Sequence, residues 1–227
     1  MRARPIIAID GPAGSGKSTV ARRLATELGF TYLNTGAMYR AVAIAFKEAG
    51  ITPAGARDDG RVAQVLKTIK IDFRDERVIL NGRDVSAIIS NPEVSELAST
   101  YSTLPAVREG MRGLQRAIGE PGGIVMEGRD IGTVVFPDAE FKFYFEAPPQ
   151  VRAERRYAEL TAKGDAVNRN EVLRELIERD RRDSAREQAP MRRADDAMVI
   201  DTSNLTIEQV ISALKERIQG VYVRTRP

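Results

Sequence analysis

The chain has 227 residues, enough to bury a full core, most simply as one domain carrying insertions. Cysteine and histidine are both absent, which excludes disulfides, thiolate nucleophiles, cysteine metal sites and imidazole proton transfer; a general base or a charged metal ligand is expected to be a carboxylate. A net charge of +3 suits small anionic substrates without arguing for nucleic acid, and neither a membrane span nor a signal-peptide core is present, so a cytoplasmic protein with no membrane partner is expected.

Ile6-Ile7-Ala8-Ile9 reads as a buried strand and leads into residues 11–19, GPAGSGKST. This stretch fits G-x-x-x-x-G-K-[ST] with Gly11, Gly16, Lys17 and Ser18 in register, and a helical pattern follows it, which is the context a P-loop requires. A triphosphate must be held without side chains crowding the backbone. Glycines at 11, 14 and 16 allow successive N–H groups to form an anion nest, and the next helix adds its positive end. Gly11, Pro12, Ala13, Gly14, Ser15, Gly16, Lys17, Ser18 and Thr19 are therefore expected to bind a nucleoside triphosphate. Lys17 is expected on the β and γ phosphates, and the Ser18 hydroxyl on Mg2+ as the metal residue.

In residues 18–28, Val20, Leu24 and Leu28 recur at helical spacing, and Gly29 stops the helix. Residues 31–34 read as a short strand, after which Thr35 is expected to cap a helix over 36–49. A loop over 50–59, a helix over 62–69 and strands over 69–73 and 77–80 follow, with Asp75-Glu76 and Asn81-Gly82 as turns. Asn91-Pro92 and Pro105 each start a helix. Ile124-Val125-Met126-Glu127 returns as a buried strand ending in Gly128-Arg129-Asp130, and 141–145 is a further strand. A charged helix runs to Leu160. Lys163-Gly164-Asp165 turns the chain, and Asn168 with Glu171 opens a helix expected to carry Arg179, Asp183 and Arg186 on one face. Residues 198–201 are the last strand, and Thr206 with Gln209 opens a terminal amphipathic helix.

Strands alternating with helices predict a parallel five-stranded α/β sheet between helices, with the nucleotide at the strands' C-terminal edge. The expected organisation is a P-loop NTPase core over 1–49, 102–150 and 188–227, a small α+β insertion over 50–101 and a helical lid over 151–187. The lid would hinge near Lys163-Gly164 and close over ATP, bringing Arg155 toward the triphosphate.

Phosphoryl transfer between two anions asks the protein for positioning and charge, so arginine, lysine and Mg2+ are the expected catalysts. Arg40 in TGAMYR, Arg129 in EGRD and the RDRRDSAR segment supply such arginines. The segments GPAGSGKST, NTGAMYR, MEGRDIGTVVFPDA and RDRRDSAR, in that order, resemble the bacterial cytidylate kinase family within the nucleoside monophosphate kinases. The resemblance covers nearly the whole chain, and EGRDIGTVVFPDA is its most distinctive part. It implies transfer of the γ-phosphoryl of ATP to CMP or dCMP, with residues 50–101 as the monophosphate-binding insertion. It further implies Ser99, Arg108 and Asp130 on the cytosine, Arg179 and Asp183 on the sugar, and Arg40, Arg129 and Arg186 on the transferring phosphates. Thr35, where the family often has serine, would lie near the acceptor. Lys17, Arg129, Arg179 and Arg186 would be the catalytic group, and a monomer is expected.

Asp10 and Asp201 each end a strand, but neither is an unambiguous Mg2+ ligand, so the ion is expected to rest mainly on Ser18, water and phosphate oxygens. Alternatives are a kinase for UMP, dTMP or shikimate, and a non-catalytic nucleotide switch, against which the absence of Asn-Lys-x-Asp weighs. Nucleic-acid binding through the arginine-rich region is disfavoured because acids interleave the bases and Tyr157 is nearly the only aromatic nearby.

Overall fold

The computed structural model describes residues 2, 4–56, 60–74 and 77–225. In chain order the first elements are β1 (Ile6–Asp10), α1 (Lys17–Leu28), β2 (Thr31–Asn34), α2 (Thr35–Glu48), α3 (Arg61–Thr68), β3 (Ile71–Arg74), β4 (Arg77–Leu80) and β5 (Arg83–Asp84). There follow α4 (Pro92–Tyr101), α5 (Pro105–Gly119), β6 (Ile124–Gly128), β7 (Phe141–Glu146), α6 (Pro149–Ala162), α7 (Arg169–Ser184), β8 (Met198–Asp201) and α8 (Ile207–Thr225). A single π-helical turn, Ile131–Val135, lies between β6 and β7. The expected turn at Asp75-Glu76 and part of the expected loop, residues 57–59, lie outside the described residues.

Two compact units result, one of Met1–Leu33 with Pro121–Pro227, the other Asn34–Glu120. The first holds a five-stranded sheet in the order β2-β6-β1-β7-β8, with parallel ladders between β1 and β6, β1 and β7, and β7 and β8. Every residue of β1 and β6 is buried, which is why both read as continuous apolar runs rather than alternating ones. Val20, Ala21 and Leu24 of α1 and Val210, Ile211 and Leu214 of α8 share one core with Ile7, Ile9, Phe143 and Phe145 of the sheet. Thr206 and Gln209 cap α8 reciprocally, each backbone N–H donating to the other's side chain. α6 and α7 form a helical hairpin with its own small core of Ala153, Leu160, Val172 and Leu176.

The second unit includes α2 and α5 besides the stretch over 50–101. Phe46 of α2 meets Tyr101 of α4 edge-on at 5.0 Å, and the Tyr101 hydroxyl donates to the Ile51 carbonyl at 2.6 Å, so this buried phenol is satisfied. Strands β3, β4 and β5 form an antiparallel sheet, with Asn81 (φ 50°) and Gly82 (φ 84°) in the left-handed region that a two-residue hairpin turn demands.

Two expectations are corrected. Asn34, not Thr35, caps α2: the Asn34 side chain accepts from the Ala37 N–H at 2.9 Å, and Thr35 is the first helical residue. Strand and helix abut without a loop, so the cap falls on the last strand residue. Arg186 lies beyond α7, which stops at Ser184 with Ala185 as its C-cap; a face shared at i, i+4, i+7 therefore does not bring it to Asp183.

Candidate active site

The P-loop joins β1 to α1. A Cβ on Gly11 would lie 2.2 Å from the Phe145 carbonyl oxygen, and one on Gly14 would lie 2.9 Å from the Arg152 carbonyl oxygen, so both positions require glycine for close backbone approach. Three of the loop's own carbonyls are held by protein donors. Pro12 O accepts from Ser15 Oγ at 3.0 Å and Lys17 Nζ at 2.7 Å, Ala13 O from Arg152 Nη1 at 3.1 Å, and Ser15 O from Thr202 Oγ1 at 3.1 Å. A trans peptide sets its N–H opposite its C=O, so anchoring these carbonyls turns the N–H groups of Ala13, Gly14 and Gly16 the other way. The nest is thus built by holding its outer side.

Lys17 is buried and its ammonium rests on its own loop. Burial, reinforced by the positive charge of Arg129, lowers its pKa to about 7, against the opposing pull of Glu127 and Asp10. Ser18 and Thr19 are exposed at the start of α1. The Arg155 guanidinium bonds the Thr202 hydroxyl at 3.1 Å and the Thr202 carbonyl, one residue removed from the P-loop through the Thr202–Ser15 bond.

At the edge of the same sheet, β6 delivers Glu127, Gly128, Arg129 and Asp130 beside the end of β1. Glu127 is buried and accepts from the Tyr32 hydroxyl at 2.6 Å. Arg129 Nε donates to Asp183 Oδ2 at 2.9 Å, and Arg186 donates to Asp183 Oδ1. Burial pushes the Asp183 carboxyl upward, but Arg129, Arg186 and Arg179 together outweigh it and hold the group below the ordinary carboxylate range. One buried carboxylate thereby bonds two arginines and feels the charge of a third. Asp180 of α7, one residue from Arg179, accepts from Arg152 Nη1 at 2.6 Å in a second, partly buried pair.

The second unit carries Thr35, Arg40, Ser99 and Arg108. Thr35 is buried in the first turn of α2, and Arg40 lies one turn on, close enough that a Cβ on Gly36 would sit 3.3 Å from its Nη1. Ser99 and Arg108 are buried on α4 and α5. Ser102 links them: its hydroxyl donates to the Ser99 carbonyl at 2.7 Å, and its own carbonyl accepts from Arg108 Nη1 at 3.4 Å. The Arg108 guanidinium also stands over the Tyr39 ring at 5.8 Å. The Ser99 hydroxyl has no hydrogen-bond partner among the described residues, a buried polar group left for a ligand to satisfy.

Sequence reasoning missed Arg152, Asp180, Thr202 and the Tyr32–Glu127 pair. None has a local signal, because each acts through a partner more than 25 residues away. Asp10, considered as a metal ligand, instead accepts from two backbone N–H groups of the π-helical turn. Asp201 is likewise occupied, accepting from the Ser203 N–H and hydroxyl.

The sequence profile of the cytidylate kinase family matches residues 7–220. Among curated relatives, the cytidylate kinase of Carboxydothermus hydrogenoformans is 50% identical over 216 residues, covering 93% of this chain and 96% of the relative. That of Thermotoga neapolitana is 48% identical over 213 residues, with 94% and 96% covered, and that of Thermodesulfovibrio yellowstonii is 48% identical over 217, with 95% and 98% covered. With P-loop, β6 edge and arginine cluster all inside the matched span, the chain belongs to the cytidylate kinase family.

Proposed function

We propose that the protein transfers the γ-phosphoryl group of ATP to CMP or dCMP, giving ADP and CDP or dCDP, as a cytoplasmic monomer. The observation that carries this reading is the convergence of Arg129, Arg179 and Arg186 on Asp183 beside the P-loop lysine. Two anionic nucleotides repel each other, and arginines already gathered at fixed positions let them approach without reorganising at the moment of transfer.

The P-loop residues 11–19 hold the triphosphate through backbone N–H groups, with Lys17 moving from its own loop onto the phosphate oxygens. Displacing a buried lysine from neutral partners to anions raises its pKa and fixes the charge where transfer needs it. Arg129, Arg179 and Arg186 steady the moving phosphoryl group, Arg40 and Thr35 receive the acceptor's phosphate, and Arg155 approaches the ATP side. The region 151–187 closes over ATP and keeps water out. Among the described residues no group of three or more acidic side chains could hold a metal, and Asp10 and Asp201 are occupied by protein donors. That donor set fits a hard cation resting on the exposed Ser18 hydroxyl and phosphate oxygens. Mg2+ held there would neutralise charge on the triphosphate.

Cytosine presents an amino donor at N4 and acceptors at N3 and O2. Asp130 accepts from the amino group, and Arg108 with Ser99 serves the acceptor edge. Uracil would set its O4 acceptor against the Asp130 carboxylate, a mismatch costing about 1–3 kcal/mol, enough for roughly 10-fold to 100-fold selectivity. Asp183 and Arg179 serve the sugar.

Steady-state ADP release with ATP and Mg2+ against CMP, dCMP, UMP, AMP, dTMP, shikimate and no acceptor tests the reading. CMP and dCMP are expected to lead, and Asp130→Ala is expected to erase the margin over UMP. Release without any acceptor, or a leading acceptor other than a cytidylate, would refute the assignment.

A further inference from the structure

Asp10 stands at the junction of the two halves of the proposed chemistry. It is the last residue of β1, covalently joined to Gly11 of the P-loop, and its register partner across the sheet is Gly128, the residue before Arg129. Its carboxylate divides between two donors: Oδ1 accepts from the Ile131 N–H at 2.9 Å and Oδ2 from the Gly132 N–H at 2.7 Å. These are the first two residues of the π-helical turn, whose leading N–H groups have no partner within the turn. The Asp10 side chain is buried, so water is a poor substitute for it.

The consequence falls on the dipeptide between. Arg129 and Asp130 span only two residues from the end of β6, fixed by its ladder to β1, to Ile131, fixed by Asp10. Holding the Ile131 N–H fixes the plane of the peptide that joins Asp130 to Ile131. The Asp130 backbone is irregular there (φ −146°, ψ 23°), lying in neither strand nor helix. The Asp10 carboxylate therefore fixes the backbone from which both side chains leave, next to the loop read as holding ATP, while Asp183 holds the Arg129 guanidinium itself.

We propose that Asp10 is a positioning residue for acceptor selection, clamping the turn behind Arg129-Asp130 so that Asp130 meets the base and Arg129 the moving phosphoryl group. The inference rests on the reading of Asp130 as the group that recognises cytosine. Asp10 touches neither nucleotide in this role, and it acts through the two N–H groups it accepts.

Asp10→Asn tests it. The amide keeps the shape but replaces one acceptor oxygen with an NH2 group that faces an N–H, so one of the two bonds is lost. The ratio of kcat/KM for CMP to that for UMP is expected to fall about tenfold, the scale of one buried hydrogen bond, through a raised KM for CMP, while KM for ATP changes less than about twofold. Val210→Ala, which hollows the core under α8, serves as a control of lowered Tm with an unchanged ratio. In the parent protein, amide hydrogen exchange is expected to show Ile131 and Gly132 protected, a readout that does not require the variant to fold. Unprotected amides, or a variant whose ratio matches the parent's while Asp130→Ala erases it, would overturn the role of Asp10 alone. A parent with no preference for CMP, or a preference that Asp130→Ala leaves intact, would overturn the cytosine reading and this inference with it.

Discussion

The P-loop and the arginine cluster, the two regions of the same unit proposed to bind anions, are made by opposite means. The P-loop is a backbone device: glycines allow the close approach, and its carbonyls are tied down so that its N–H groups face the ligand. The arginine cluster is a side-chain device, in which cations from the turn after β6, from α7 and from the segment beyond it are gathered by one buried carboxylate, Asp183. A backbone nest is fixed once the chain folds, whereas gathered arginines repel one another and depend on the counter-charge between them. The first should tolerate loss of a neighbour; the second should not.

Lys17→Ala probes the first device at its one charged side chain. Turnover should fall by about 10³-fold or more, because the charge proposed to move onto the triphosphate is lost, while Tm holds or rises as a desolvated ammonium is removed. Activity within tenfold of the parent in a coupled ADP assay would refute the role of Lys17. Asp183→Asn probes the second device. Losing the shared counter-ion should cost on the order of 3 kcal/mol of stability and roughly 10²-fold in turnover. Added ATP should then raise Tm more in the variant than in the parent, since phosphate replaces the missing carboxylate; an equal rise in both would break the contrast.

Arg152→Met touches both regions, since Arg152 bonds Ala13 O of the loop and Asp180 beside Arg179. A loss of about 2 kcal/mol is expected, measured by denaturant unfolding, with KM for ATP raised more than KM for CMP. The smallest effect concerns Asp10, whose carboxyl is pushed by burial to about 7, from 3.8, against the pull of the Gly132 and Ile131 N–H groups. The folded state therefore holds a proton that the unfolded state has released. The stability this contributes is full below pH 3.8 and is lost as pH rises through 7. Asp10→Asn lacks that loss, so its Tm relative to the parent should improve from about pH 4 to about pH 7 and then level off; a constant difference would contradict the raised pKa.

The same contrast explains what the sequence disclosed. Gly11, Gly16, Lys17 and Ser18 are adjacent in the chain because a loop of backbone groups must be, so their spacing announced the nest, its strand and its helix. Arg129 and Asp183 are 54 positions apart, and Arg152 and Asp180 are 28 apart, so only folding reveals that they are partners. Helical periodicity placed Arg179 and Asp183 on α7 correctly but carried the helix past its end to Arg186. Asn34 was overlooked as a cap because it also completes a strand, and one residue seldom advertises two duties. Asp10 stayed an ambiguous metal candidate in the sequence because an acidic residue ending a strand gives no hint of the two N–H groups that occupy it.

The most direct test of the account is a ³¹P NMR spectrum of the protein with ATP, Mg2+ and CMP. The account predicts growth of ADP and CDP signals in equal amounts with no inorganic phosphate. Inorganic phosphate appearing while CMP stays unchanged would show hydrolysis in place of transfer, and would contradict it.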